Sequence, residues 1–297
     1  MKRIPRTRTI YSFSPRHRPV ETVALGEAVV FETVDALGGQ VKDEGTPIDR
    51  IDWSRVNPAT GPVFVENVRP GDTLVVKIRR IRVEPRSIIV AVPGYGVLGD
   101  AEFSPRLKIL RIVDGVMLFE GVEIPLKPMI GTVGVAPDEG EVATGDLGRH
   151  GGNMDAAVVG EEATLYLPVF VEGALFALGD LHAVQGDGEV CVAAAEVGGE
   201  VEVVFDVIHG RRPEWPVVEY GDRIAVLVAG ETLDSAAREA TRVVVRGIMR
   251  RYCMDFAEAY MLASLVLDLR INQVVDPKKG IRAEVAKKFL DVHSLLG

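Results

Sequence analysis

From Thr22 to about Val228 the chain is a succession of short Val-, Ile- and Leu-rich runs, each broken by Gly, Pro or Asp. Such runs bounded by turn residues predict strands, because β-branched side chains suit a pleated, half-buried surface. They fall at Ala28 to Val34, Val63 to Val65, Thr73 to Val83, Ser87 to Val92, Leu107 to Val113, Val116 to Phe119, Thr164 to Val171, Glu189 to Val197, Val201 to Ile208 and Arg223 to Val228. No helical pattern separates them, so an antiparallel sandwich or barrel is expected in place of a doubly wound sheet. Asp114-Gly115 and Gly198-Gly199 each join two alternating runs and tolerate the positive φ of a two-residue hairpin turn.

The period changes after Glu231. Leu233, Ala236, Ala237, Ala240, Val243, Val244 and Ile248 recur at helical spacing, with Arg and Glu opposite, and predict a helix from Leu233 to Arg250. A second helix should start at Asp255, whose carboxylate caps while Glu258 reaches back, with Phe256, Ala259, Leu262, Ala263, Val266 and Leu267 inward. Leu269 to Val275 then reads as a strand returning to the β body. The expected protein is mainly β with α+β additions: an antiparallel sandwich or barrel-like body over residues 1–230, then a helical segment over 231–297 that packs on it and shares its core.

Composition narrows the classes. The 297 residues, 47% of them hydrophobic, suffice for one large core or two modest ones. A net charge of -9 leaves no basic footprint for nucleic acid or an anionic membrane, so neither is expected as a partner. Met1 to Val20 is basic and carries Pro5, Pro15 and Pro19 without an apolar segment after it, so no signal peptide is expected. No uninterrupted apolar run is long enough to span a bilayer. The 2 cysteines, Cys191 and Cys253, lie far apart in sequence, which excludes a disulfide scaffold and points to the cytoplasm. Asn and Gln together number only seven, a composition suited to a heat-adapted host.

Hydrolase signatures such as G-x-S-x-G, a P-loop or H-E-x-x-H are missing. Cys191 sits inside the apolar run Val190 to Ala195, where an inert buried thiol is expected, and Cys253 has no His nearby. Ligand-type residues instead crowd between Asp146 and Glu189. In His150-Gly151-Gly152-Asn153-Met154-Asp155, a glycine pair permits close backbone approach while its flanks supply imidazole, amide and carboxylate. A polar loop with a solvated Asp would look the same. In Gly179-Asp180-Leu181-His182, the i, i+2 spacing on an extended chain aims Asp180 and His182 at one face, about 6–7 Å apart along the strand. Two ligands so placed can share a divalent ion. Gln185-Gly186-Asp187-Gly188-Glu189 follows as a tight turn, and Glu189 could face that pair across a hairpin. A charged hairpin tip accounts for Asp187. A carboxylate opening an apolar run needs a partner or an exposed end. His17, His209 and His293 lack neighbouring ligands and read as surface or structural.

At these residues the sequence resembles the acetamidase/formamidase family of small-amide hydrolases. The resemblance runs through Phe31-Glu32-Thr33-Val34-Asp35-Ala36-Leu37-Gly38-Gly39-Gln40, Asn57-Pro58-Ala59-Thr60-Gly61-Pro62, Arg69-Pro70-Gly71-Asp72-Thr73-Leu74, Pro93-Gly94-Tyr95-Gly96 and Ile130-Gly131-Thr132-Val133-Gly134. Its most specific stretches are Gly151-Gly152-Asn153 with Asp155, Leu165-Tyr166-Leu167-Pro168-Val169-Phe170-Val171, and Gly179 to His182 with Gln185 to Glu189. His150 resembles the acetamidase-like branch. The resemblance implies a β-sandwich-rich body and hydrolysis of acetamide or formamide to the acid and ammonia.

An amide is a poor electrophile, so without a protein nucleophile a divalent ion is expected to activate water, Zn²⁺ first, with Ca²⁺ or another divalent ion open. Asp180 and His182 would hold it, with Asp155 or His150 completing the set. Glu189 would be the general base, with Glu139 or Asp187 next in line. Asn153, Gln185 and the amides of Gly151 and Gly152 would grip the substrate, in a small pocket closed by Tyr95 and Phe176. The Arg-rich face of Leu233 to Arg251 could dock on a second copy, giving a homo-oligomer. Two alternatives stay open: a hydrolase of urea-like or cyclic amides, and a non-catalytic metal-containing β-sandwich binding module.

Overall fold

A computed structural model describes residues 1–297, and it is mainly β. Nineteen strands form one curled, largely antiparallel hydrogen-bonded network, and Ser12–Phe13 pairs with Val142–Ala143 apart from it; the α-helices gather near the C-terminus as the hydrophobic pattern predicts, three where it gives two. The exceptions to antiparallel strand pairing are Lys2–Ile4 beside Ala28–Thr33 and Glu21–Val23 beside Ala59–Val65.

Two long strands hold the network together. Thr73–Ala91 pairs with Thr164–Pro168 through its first residues, with Arg106–Val113 through its last, and with Glu196–Ile208 along most of its length. The chain was expected to break between Val83 and Ser87 and to turn at Gly198-Gly199, and it does neither. Gly198 and Gly199 lie within one continuous strand at a register shift against Thr73–Ala91, where a Cβ on Gly198 would come within 2.9 Å of the Glu84 carboxylate. Glycine is there for close approach of another element, and long-range pairing overrides its turn propensity. The hairpin at Asp114-Gly115 forms, with φ of 50° and 78° and Val113 opposite Val116.

A second correction bears on the site. The expected strand Glu189 to Val197 begins only at Glu196, and the preceding residues form an irregular segment. Cys191 accordingly lies in that segment, half-buried, with its Sγ donating to the Val90 carbonyl.

Toward the C-terminus, Arg223–Gly230 alternates between two cores, as period two requires. Ala225 and Leu227 face the large core of the β body, whereas Ile224, Val226 and Val228 face a second core completed by helix α1 (Leu233–Tyr252). A capping box of Thr232 and Ser235 starts α1, and Ala236, Ala240, Val243, Val244 and Ile248 are buried along it. Each large aliphatic so buried stabilises the fold by about 1.5–3 kcal/mol. Helix α2 (Phe256–Val266) is capped by Asp255 and Glu258 as expected, but only Ala259 and Ala263 are fully buried, and Phe256 is exposed rather than inward. Asp268–Gln273 then pairs with a strand outside those expected, Lys279–Ala286, which inserts beside Arg223–Gly230. The short helix α3 (Val292–Leu295) comes last. No helix is long and apolar enough to cross a membrane.

Candidate metal centre

Three adjacent strands position the centre. Met129–Gly134 pairs on one side with Phe176–His182 and on the other with Gly151–Asn153, so Thr132 lies opposite both Gly179 and Asn153. The register passes from Ile130 opposite Leu181 to Thr132 opposite Gly179, which leaves Gly131 facing Asp180. A Cβ on Gly131 would lie 2.5 Å from Asp155 Oδ1 and 2.8 Å from Asp180 Oδ2, so only glycine leaves room for the two carboxylates. Asp155, Asp180 and Glu189 have φ of 42°, 55° and 45°, in the left-handed region. Side chains pay a steric cost there, and such conformations gather where the surroundings over-determine them, often at functional sites.

Hydrogen bonding fixes the tautomer of His182. Gln185 Nε2 donates to the carbonyls of Asp155, at 2.6 Å, and Asn272, at 3.2 Å, which can only accept. Gln185 Oε1 is therefore the atom 2.7 Å from His182 Nδ1, and that nitrogen must donate. His182 Nε2 points the other way, 3.1 Å from Glu196 Oε2, 3.3 Å from Asp180 Oδ1 and 3.9 Å from Asp155 Oδ1. Ligand atoms of Asp155, Asp180 and His182 lie within 4.8 Å of one another, and so do those of His182, Glu189 and Glu196. All five residues are buried.

Asp155 Oδ1, Asp180 Oδ1, Glu189 Oε2 and Glu196 Oε2 are buried without a hydrogen-bond partner. A buried carboxylate oxygen left so is costly, and four around one imidazole need a cation or protons. Metal-free, the groups take protons. Burial, then the charges of Glu196, Asp180 and Asp276, push Glu189 up to about 8 against the pull of His182. Burial and Asp180 raise Glu196 to about 7, and burial likewise raises Asp155 well above the carboxylate range, with Glu189 and Asp180 adding to it. For His182, burial is outweighed by Glu196 and Asp180, and the imidazole is raised well above its usual value. The donor set fits a divalent cation: one imidazole nitrogen with its other nitrogen anchored, and several carboxylates that each keep one oxygen free of a hydrogen-bond partner.

The structure brings Asp155, Asp180, His182 and Glu189 together and leaves other candidate residues outside. His150 is buried edge-on against Phe13, with Nε2 unpartnered but outside the ligand groups, and burial first and Lys278 second lower it to about 4. Gly151 and Gly152 form a short strand with Asn153, and a Cβ on Gly152 would come within 2.9 Å of His150 Nε2. Asn153 has no donor to spare for a substrate, since its Nδ2 donates to Asp155 Oδ2 and Asp276 Oδ2 and its Oδ1 accepts from Thr132. Gln185 is equally committed, so both amides orient ligands. Tyr95 is exposed, and Phe176 lies in the core against Phe31 and Phe205, so neither closes a pocket over the carboxylates. Glu139 is exposed and Asp187 is paired with Arg282.

Sequence reasoning missed Glu196, which pairs across the sheet with His182, together with Asn272 and Asp276 from the C-terminal segment. Glu196 carried a usable signal, a carboxylate closing an apolar run, the argument already applied to Glu189.

The expected hairpin at Gln185 to Glu189 is replaced by docking on that same C-terminal segment. Gly188 bridges Gln273 in parallel, its N–H donates to the Asn272 carbonyl, and Val274 N–H donates back to Gly188.

Fold and site together define a curled β-sheet protein with a buried carboxylate and imidazole centre. The chain belongs to the Acetamidase/Formamidase family, whose sequence profile matches residues 9–144 and 139–283. It is similar to the solved structure of a recombinant predicted acetamidase/formamidase from the thermophile Thermoanaerobacter tengcongensis, at 39% identity and a TM-score of 0.95, covering 99% of this chain and 97% of that one. An acetamidase structure from Bacillus halodurans matches at 36% identity and a TM-score of 0.95, over 99% of both chains. The acetamidase of Mycolicibacterium smegmatis is 27% identical over 259 residues, 64% of this chain and 63% of that protein. The chain thus spans 61–63% of the length of the curated relatives it matches.

Proposed function

We propose that this chain hydrolyses small linear amides of the acetamide and formamide kind to carboxylic acid and ammonia, at a divalent cation held by Asp155, Asp180 and His182 with Glu196 beside them. One observation carries the reading: three unpartnered, buried carboxylate oxygens, of Asp155, Asp180 and Glu196, lie within 3.9 Å of His182 Nε2, with the unpartnered Glu189 in a second ligand group that shares His182 and Glu196. Held by these residues, a divalent cation would supply Lewis-acid activation of the amide carbonyl and of water. Glu189, grouped with His182 and Glu196, takes the water proton as the C–O bond forms and delivers it to the nitrogen as the C–N bond breaks. Gln185 accepts from His182 Nδ1–H and so aims Nε2 inward as the nitrogen that would ligate the cation, and Asn153 holds Asp155 in place. Family membership supports the substrate class.

The test reads ammonia and bound metal on one preparation, across acetamide, formamide, urea and a lactam. Linear amides should turn over only with metal bound. Turnover of urea or lactam alone would reassign the substrate, and no ammonia from fully loaded protein would leave a binding module.

Zn²⁺ is the ion favoured by a nitrogen donor among carboxylates, and metal analysis decides between it and Ca²⁺. The unpaired thiols of Cys191 and Cys253 support a cytoplasmic setting, and the scarcity of Asn and Gln supports a heat-adapted host. Self-association is proposed through α2, where Phe256, Tyr260, Met261 and Leu265 are exposed beside Leu269 and Ile271 of the following strand. Light scattering should return a multiple of the single-chain mass; the single-chain mass at micromolar concentration would end that idea.

A further inference from the structure

We infer that a cavity beside the C-terminal half of α1 is a binding site for a multiply charged oxyanion of phosphate or polycarboxylate chemistry. The cavity has a volume of about 450 Å3 and is lined by Arg149, Arg211, Arg212, Arg246 and Arg250, with Glu214 as the acidic side chain among its walls. A concavity with a surplus of four positive side-chain charges is out of keeping with a chain whose net charge is -9. The arginines are held in position without being neutralised. Arg211 Nη2 donates to the carbonyls of His293, at 2.8 Å, and Leu296, at 3.1 Å. Arg250 Nε donates to the Ser294 carbonyl at 2.8 Å. Arg212 Nη1 donates to the Val169 carbonyl at 3.1 Å, and its guanidinium lies 4.9 Å from the centre of the Phe170 ring. Carbonyl acceptors orient a guanidinium but carry no formal charge, so each of these three retains its charge and further N–H donors.

Glu214 is shared between Arg149, at 3.0 Å, and Arg246, at 3.4 Å, and so offsets one charge of the two. Like charges left uncompensated leave a mark on Arg250, whose pKa is lowered by burial first and then by Arg211 and Arg246. Anchored guanidinium forks meet tetrahedral or planar oxyanions through paired N–H donors. Because the side chains are already tethered, less rotamer freedom is lost when a ligand arrives.

The site is tested on the full chain by calorimetric titration with inorganic pyrophosphate and with citrate at low salt, alongside thermal unfolding. Pyrophosphate should bind, raise Tm and weaken as NaCl is added, since a ligand of the folded state stabilises it and salt screens exposed charges. Citrate binding more tightly than pyrophosphate would assign the site to polycarboxylates, and the reverse order to phosphoryl compounds. Arg246→Gln removes one guanidinium that touches only Glu214, and should weaken binding about tenfold, the loss of roughly one charge-assisted hydrogen bond. Glu214→Gln should change affinity in the opposite direction, which a general loss of folding cannot imitate. Neither anion binding at millimolar concentration would overturn the inference. Affinities unchanged in both variants would do so too, as would Arg246→Gln altering the subunit number while no anion binds.

Discussion

Two buried charge clusters lie side by side and obey opposite rules. Every charged atom of Arg282 and Glu284 themselves has a partner. Arg282 makes a two-pronged contact with Asp187, at 2.6 and 2.8 Å, and donates to Glu284 at 3.0 Å and Asn272 at 3.1 Å. Glu284 also accepts from Tyr220, Arg270 and Arg223. Around His182, four carboxylate oxygens have no hydrogen-bond partner. The two regimes meet in one turn, for Asp187 belongs to the paired cluster and Glu189, two residues on, to the unpaired one. Pairing makes burial of charge tolerable. Its absence across these grouped carboxylates, in a fold that pairs their neighbours, marks a donor set that fits a cation. The paired cluster also serves the unpaired one, because anchoring Asp187 fixes the turn that presents Glu189.

Glu189→Gln should produce the largest effect. Size and hydrogen-bonding shape are kept while the proton acceptor is lost, so kcat on acetamide or formamide should fall about 10²–10⁴-fold with metal content unchanged. Metal and activity falling together would make Glu189 a ligand. Activity near wild type would remove it from the mechanism and leave its unpartnered oxygen unexplained.

Arg282→Met strikes the other side. It removes one partner of Glu284, which keeps Arg223, Arg270 and Tyr220, and leaves the partly exposed Asp187 without its cation, so the cost should fall below about 3–5 kcal/mol, the loss when a fully buried pair is left half-empty. Denaturant unfolding measures it. A cost below about 1 kcal/mol would mean that the paired cluster contributes little and differs less from the His182 centre than its hydrogen bonding suggests. Asp187→Asn should cost less than Arg282→Met, since that carboxylate is 36% exposed.

The features legible in the sequence were local ones. Asp180 and His182 meet two residues apart on one strand as expected, although Asp180, with φ of 55°, departs from the extended backbone the spacing argument assumes, and the Asp255 cap is set within a single turn. Glu196 reaches the centre through cross-strand register with His182, which no local pattern encodes, and its strand begins later than its apolar run suggests. Asn272, Asp276 and Arg282 arrive from the segment between Asp268 and Ala286, after two helices, and the strand Lys279–Ala286 escapes the sequence reading although Ile281, Arg282, Ala283, Glu284 and Val285 alternate with the period of two that marks a strand. Its alternate charged positions, Arg282 and Glu284, form the paired cluster that ties the Glu189 turn in place. Asn153 and Gln185 looked like substrate grips because residue type was visible and hydrogen-bond commitments were not.

Removing the cation should expose the remaining difference between the clusters. An ion present at a thousand times its Kd stabilises the fold by about 4 kcal/mol, so chelation should lower Tm by several degrees. The chelated protein should then acquire a pH dependence of definite sign. Metal-free, burial and neighbouring negative charge raise Glu189 to about 8, Glu196 to about 7 and Asp276 to about 6. The folded state therefore holds protons that the unfolded chain has released, and stability is lost as pH rises from about 5 to 8. With metal bound the same carboxylates are already ionised, and deprotonation favours binding, so Tm should be flat or rise over that range. Glu284 supplies the control. Burial raises it, but Tyr220, Arg282 and Arg270 outweigh that effect and lower it, so its contribution is intact over pH 5 to 8 and is lost only as pH falls below the usual carboxylate range. A chelated protein whose Tm rises from pH 5 to 8 would show that the His182 carboxylates find partners of their own, and the distinction between the two clusters would fail.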